Sequence, residues 1–170
     1  MNLSELYTND NRTKQLLKNI LIPGNQILAK GFVGSSFSFI TEALFRQADK
    51  PFLLILNDKE DAAYHLNDLE NLLNKKDVLF YPSSYRRPYE IEATDNANVL
   101  LRAEVLNRIS SRKKPALIVT YADALFEKVV TKKQLQQNTL KLVLNQEISL
   151  DTVNETLFEY DFKRVDFVTE

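Results

Sequence analysis

Apolar residues along this chain alternate between helical spacing and short unbroken runs. Leu16, Leu17 and Ile20 fall at helical spacing behind Asn9-Asp10, either of which suits an N-cap, and Pro23-Gly24 stops the pattern. Gln26-Ile27-Leu28-Ala29-Lys30 reads as a strand, and the spacing then predicts a helix over 35–49 with Phe39, Ala43 and Leu44 on one face. Phe52-Leu53-Leu54-Ile55-Leu56 is apolar without alternation, as a parallel strand covered on both faces is. Asn57 is placed to cap the next helix, with Glu60 as its capping-box partner and Ala62, Leu66, Leu69 and Leu73 as its buried stripe. Val78-Leu79-Phe80-Tyr81 is a further strand. A helix over 98–110 follows, carrying Val99, Ala103, Leu106 and Ile109. Ala116-Leu117-Ile118-Val119 is another apolar strand, and a helix is expected over 122–130. This βαβα rhythm predicts an α/β fold, a parallel sheet flanked by helices.

The pattern changes after about residue 137. Leu140-Lys141-Leu142-Val143-Leu144 alternates, a helix is expected over 150–160, and Arg164-Val165-Asp166-Phe167-Val168 alternates again. We therefore expect one domain over 1–137 and the start of a small α+β domain over 138–170. The chain stops inside an apparent strand, as a piece of a longer polypeptide does.

Between the strand at 26–30 and the helix at 35–49 lies Gly31-Phe32-Val33-Gly34-Ser35-Ser36-Phe37-Ser38. A phosphate-binding loop reads G-x-x-x-x-G-K-[ST] in this context. Here Gly31 opens the pattern and Ser38 closes it, but Ser36 replaces the second glycine and Phe37 the lysine. The missing ammonium matters, because a charge pair at about 4 Å and an effective dielectric near 20 is worth roughly 4 kcal/mol, on the order of a thousandfold in affinity. An ordinary strand-to-helix bend gives the same spacing. Two of only three glycines in the chain sit here, Gly31 and Gly34, which favours an emptied phosphate loop.

Composition excludes several chemistries. There is no cysteine, so disulfides and thiolate metal sites are absent, and a single histidine, His65, makes a histidine zinc site a poor reading. His65 is expected as a solvated surface residue between Asp61 and Asp68. With 170 residues and 44% hydrophobic content, the chain has enough apolar surface for a substantial core. The net charge of −1 supplies no global basic field for nucleic acid. No apolar run reaches membrane-spanning length, and the N-terminus lacks signal-peptide character; a soluble cytoplasmic protein is expected. Asp58, Glu60 and Asp61 suit a helix N-terminus for dipole reasons and need no metal. No Ser/His/Asp set can be assembled. The loop Tyr81-Pro82-Ser83-Ser84-Tyr85-Arg86-Arg87-Pro88-Tyr89-Glu90 is rich in side chains that stack and meet phosphate. The same side chains, Tyr85, Arg86, Arg87 and Tyr89, equally suit a protein interface or a loop folded over the sheet edge. Arg108, Arg112, Lys113 and Lys114 close a helix, where cations are expected.

In order and spacing, the lysine-less loop Gly31 to Phe37, the strand after Pro51, Phe80-Tyr81-Pro82-Ser83, Arg87-Pro88-Tyr89-Glu90, Arg102 and Ala116-Leu117-Ile118-Val119-Thr120 resemble the N-terminal region of bacterial transcription-repair coupling factors. The likeness runs from about residue 26 to 170. It implies a RecA-like domain similar to the damage-verification protein UvrB, without ATPase activity of its own, interrupted by a small domain that recruits UvrA and that begins here. Gly31, Gly34, Ser35, Ser36, Phe37 and Ser38 are then a vestigial phosphate loop, with no cofactor and no metal in this piece. The resemblance also implies that the full-length protein is an ATP- and Mg-dependent translocase on duplex DNA. It would displace stalled RNA polymerase, with this module packed against other domains of the same polypeptide. UvrB itself would need an intact Gly-Lys-Thr loop and a long tyrosine-rich hairpin after Tyr85, and neither is present. The family's main UvrA-contacting arginines lie beyond the segment matching 162–166, so no contact residue is assigned. A nucleotide-binding or hydrolysing half-domain of a helicase or UvrB-type protein is the alternative, and a stand-alone DNA-binding domain a third reading.

Overall fold

The computed structural model describes residues 3–85, 95–111, 114–131, 133–134, 139–140, 142–160, 162, 164 and 165. The chain divides into two compact units, Met1–Lys128 and Val129–Glu170.

The first unit opens with α1 (Leu3–Asn9) and α2 (Asn11–Ile20). Asp10 caps α2, its carboxylate accepting from the N–H groups of Arg12 and Thr13. Sequence reasoning placed that cap but missed α1, which is too short to show a stripe of its own. Next come α3 (Ser36–Ala48), β1 (Phe52–Leu56), α4 (Lys59–Leu72), β2 (Val78–Tyr81), α5 (Asn96–Ser111), β3 (Leu117–Tyr121) and α6 (Ala122–Phe126). The three strands form a parallel sheet in the order β1-β3-β2. The α/β reading holds at that level.

The register, Phe52↔Leu117 and Val78↔Leu117, assigns side chains to two faces. Phe52, Leu54, Val78, Phe80, Leu117 and Val119 share one face. Leu53, Ile55, Leu79, Tyr81, Ile118 and Thr120 share the other. Helix α4 crosses all three strands on the first face, burying Ala62 and Leu69. Helix α5 covers β2 on the second, with the Arg102 guanidinium 4.2 Å from the Tyr81 ring centre. Every residue of β3 is buried.

Several expectations are corrected. Among the described residues no strand forms at 26–30: the segment is extended, exposed and unpaired. β1 is not covered on both faces, since Leu53 and Ile55 are 54% and 56% exposed. The α4 cap is Asp58, which accepts from the Asp61 N–H, while Asn57 only reaches the Asp61 carboxylate by its side-chain amide. α5 buries Arg102 and Val105 and leaves Val99 and Ile109 exposed, because the face turned to the sheet carries a cation that the apolar pattern hides. α6 stops at Phe126 rather than 130. No helix among the described residues is long and apolar enough to cross a membrane.

In the second unit, α7 (Leu150–Glu159) is capped by the Ser149 hydroxyl, which accepts from the Asp151 N–H. Leu140, Leu142 and Val143 do not form the expected strand. Leu144 and Asn145 make a turn instead, with Asn145 at φ 65°. Arg164 and Val165 are not in a strand either, and Asp166, Phe167 and Val168 lie outside the described residues.

The Leu69 side chain is fully buried against the sheet, so Leu69→Ala is expected to lower unfolding free energy by about 2–5 kcal/mol. Asp58→Ala is expected to lose about 1 kcal/mol and Asn57→Ala clearly less. Urea midpoints of the three variants rank the contacts, and equal losses at positions 57 and 58 refute the assigned cap.

Candidate functional site

The glycine loop over 31–38 leads into α3, whose first turn holds Ser36, Phe37 and Ser38. Gly31 and Gly34 adopt φ 89° and 52°, and no atom lies within 4 Å of where a Cβ would sit, so glycine is required there by backbone angle rather than by space. The bend therefore has two residues in the left-handed region just ahead of the helix. Its polar side chains are bonded within the protein. The Ser36 hydroxyl accepts from the Val33 N–H at 2.8 Å, and the Ser36 N–H returns to the Val33 carbonyl at 3.2 Å. Ser35 Oγ lies 2.9 Å from the Tyr64 hydroxyl. Ser38, the residue that would meet a metal in a working loop, is fully buried with Oγ 2.8 Å from His65 Nδ1.

Phe37 occupies the position of the lysine. Its ring meets Phe32 edge-on at 5.4 Å between centres and His65 at 5.2 Å, and His65 meets Tyr64 at 5.3 Å. Four rings thus close over the helix start. His65 is not the solvated residue expected. Its side chain is 12% exposed, with Nε2 3.7 Å from Asp61 Oδ1. Within α3, Glu42 pairs with Arg46, and Arg46 Nη2 reaches the end of α4 by donating to the Leu72 carbonyl at 2.7 Å. Glu42 is 1% exposed, and no apolar pattern announces it.

Beside the loop, α1, α2, residues 27–32 and the start of α3 enclose an open cleft of about 700 Å³. Leu3, Leu6, Leu16 and Ile27 make it apolar, and its charges include Lys30 and the Asp10–Arg12 pair.

The second arrangement lies at the carboxyl ends of the strands, where open α/β sheets commonly bind ligands. Arg102, 7% exposed, donates to the carbonyls of Pro82 at 2.8 Å and Ala124 at 3.0 Å and pairs with Glu127 at 3.3 Å. The Glu127 carboxylate accepts from both the hydroxyl and the N–H of Ser84 and from the Ser83 hydroxyl. Burial pushes the Glu127 carboxyl up, but those donors, with Arg102, outweigh it and hold the group below its ordinary value. Burial raises the Tyr81 and Tyr121 phenols, and the Tyr121 hydroxyl accepts from the Ser83 N–H at 2.9 Å. This polar clasp fixes the first residues of the tyrosine- and arginine-rich loop. Across the loop base the Asp95 N–H donates to the Ser84 carbonyl at 2.7 Å, and the Asn98 amide to the Ser83 carbonyl at 2.9 Å. Tyr85 is half-buried, whereas Arg86, Arg87 and Tyr89 lie outside the described residues. Arg108 donates to the Lys76 carbonyl; Arg112 and Lys113 lie outside the described residues.

The comparison with known proteins decides what this scaffold resembles. The chain is 27% identical over 144 residues to the transcription-repair-coupling factor of Bacillus subtilis, covering 85% of this chain. It is 26% identical over 140 residues, 81% of the chain, to that of Rickettsia bellii, and 24% over 127 residues, 74% of the chain, to that of Rickettsia prowazekii. The chain is similar to transcription-repair-coupling factors. It spans about 12% of the length of the first two of these relatives. No protein-family model matches the chain, and no solved structure matches it.

A carboxyl held low in the folded state stabilises above its unfolded value, ordinarily 4.5, and that contribution is lost as pH falls through the lower folded value. Glu127→Gln is therefore expected to lose stability at pH 7 and to converge on the parent as the pH drops into the acid range, measured by urea unfolding across pH. A pH-independent difference refutes the ionised clasp.

Proposed function

We propose that this chain is a non-catalytic, RecA-like module of a transcription-repair coupling factor, with one domain over 1–137 and the beginning of a UvrA-recruiting domain over 138–170. The observation that carries the reading is the Phe32, Phe37, Tyr64 and His65 cluster, seated on a loop whose relatives in plan hold phosphate. Phe37 brings no charge to the position, and the Ser38 hydroxyl is committed to His65. Without a lysine and with that hydroxyl occupied, the loop has neither of the side-chain groups that hold a terminal phosphate and its magnesium.

In this reading nucleotide chemistry belongs to further parts of a longer polypeptide, which uses ATP and Mg to move on duplex DNA and displace stalled RNA polymerase in the cytoplasm. The present module contributes docking, to UvrA and to other domains of its own chain. Similarity to relatives about seven times as long supports the assignment to such a polypeptide. The bend at Gly31 and Gly34 is what the alternative reading, a nucleotide-binding half-domain, has in its favour.

Calorimetric titration with Mg-ATP is expected to give no binding heat at micromolar concentrations, and a micromolar isotherm overturns the non-catalytic reading. A polypeptide carrying these residues and the rest of the small domain is expected to bind immobilised UvrA saturably. Failure of that polypeptide to bind refutes the recruitment role.

A further inference from the structure

The amino ends of the three strands enter the sheet side by side. Phe52, Leu117 and Val78 share one level of the register, in the strand order β1-β3-β2, and neighbouring strands lie about 5 Å apart. The Phe52 N–H donates to the Ala116 carbonyl at 3.0 Å and the Leu117 N–H to the Asp77 carbonyl at 2.8 Å, which ties the incoming connections together. Those connections bring Lys50 to β1, Lys75 and Lys76 to β2, and Lys114 to β3. Lysines far apart in the sequence are thus collected on one rim.

All four lysines are exposed, and the same connections hold two acids, Asp49 and Asp77, in a chain whose net charge is −1. Helices α3, α4 and α5 also end at this rim, and cations are expected at helix carboxyl ends. Arginines meet that need. Arg46 Nη2 donates to the Leu72 carbonyl at 2.7 Å and Arg108 Nη2 to the Lys76 carbonyl at 2.9 Å. The side chains of Lys50, Lys75, Lys76 and Lys114, by contrast, make no hydrogen bond or ion pair with any described residue. The turn that carries two of them is itself fixed. The Lys76 N–H donates to Asn74 Oδ1 at 3.1 Å, and the Asp77 N–H to the Asn74 carbonyl at 2.8 Å.

The residue types on the rim select its partner. Lysine is depleted in protein interfaces, which centre on aromatic and apolar anchors. No aromatic residue lies in 49–51, 74–77, 108–111 or 114–116, and Asn74, Ser110 and Ser111 bring amide and hydroxyl groups instead. Lysines among such neighbours are the groups that meet phosphate oxygens along a nucleic-acid backbone. With no ring to stack on an unpaired base, the rim fits a duplex better than a single strand. We propose that the rim formed by Lys50, Lys75, Lys76 and Lys114 is a sequence-independent contact for the phosphate backbone of duplex DNA. The module then touches the duplex by its own surface, at the end of the sheet opposite the Arg102–Glu127 clasp.

Fluorescence anisotropy of the 170-residue chain with two labelled duplexes of unrelated sequence tests this. The two are expected to bind within about twofold of each other, as backbone contacts carry no sequence information. Four neutralised phosphates give a slope of about −3.6 for log affinity against log salt, so binding is expected to weaken about a hundredfold between about 50 and 200 mM. Lys50→Gln, Lys75→Gln, Lys76→Gln and Lys114→Gln together are expected to weaken binding by at least about tenfold at the lower salt and to flatten that slope. Lys14→Gln, Lys59→Gln, Lys128→Gln and Lys133→Gln together make the same charge change at exposed lysines elsewhere, and are expected to cost less than about threefold. Both variants are expected to melt as the parent does, since the replaced side chains are exposed. Equal losses in the two variants, no binding to either duplex, or tighter binding to a single strand of the same length overturns the proposal. So does loss of UvrA binding by the rim variant with duplex binding unchanged, which assigns the rim to an acidic protein surface.

Discussion

The complete burial of β3 governs the first unit. Its five residues are hydrogen-bonded along both edges and covered on both faces, so Leu117, Val119 and Thr120 have almost no contact with water. Such a strand tolerates only apolar or internally bonded side chains, and Thr120 qualifies because its hydroxyl donates to the Tyr81 carbonyl at 2.7 Å. Once β3 is fixed, β1 and β2 must lie parallel to either side, and each connection must cross a face as a helix. The same geometry delivers Pro82, Ala124 and Glu127 to one end of the sheet, where Arg102 joins them. A cation buried there is tolerable only because two carbonyls, a carboxylate and an aromatic face surround it.

Open α/β sheets commonly bind ligands at the carboxyl ends of their strands. In this chain the Arg102–Glu127 clasp fills that end with the protein's own side chains. Aromatic rings pack beside the bend that precedes α3. The rings pack edge-on at 5.2–5.4 Å with Phe32 and Tyr64 still open to water, and a strongly hydrated triphosphate placed against them would need a positive partner to offset its desolvation. The clasp has a different effect. It fixes Ser83 and Ser84 at the start of the loop, and Asp95 and Asn98 bond to the same two residues from its far side.

Legibility in the sequence followed solvent exposure. Strands β1, β2 and β3 announced themselves as unbroken apolar runs, and α3 and α4 by their stripes, because burial against a sheet demands such patterns. Gly31 and Gly34 marked the bend before α3, and both adopt the positive φ that favours glycine. His65, Glu42 and Arg102 were misread or missed for a common reason. Each is a polar residue buried by pairing with another polar residue, and a one-dimensional pattern scores it as exposed. The 26–30 segment failed differently: its composition is strand-like, but pairing requires an adjacent edge, which propensity does not supply.

That last failure bears on how the bend before α3 is held. With no paired strand on its N-terminal side, the bend is supported from the helix side, by Val33 to Ser36, Ser35 to Tyr64 and Ser38 to His65. Two of those three contacts end on α4, which itself packs on all three strands. The bend is therefore tied to the sheet through a helix, and the position of α3 over α4 depends on hydroxyl groups that an apolar pattern does not display.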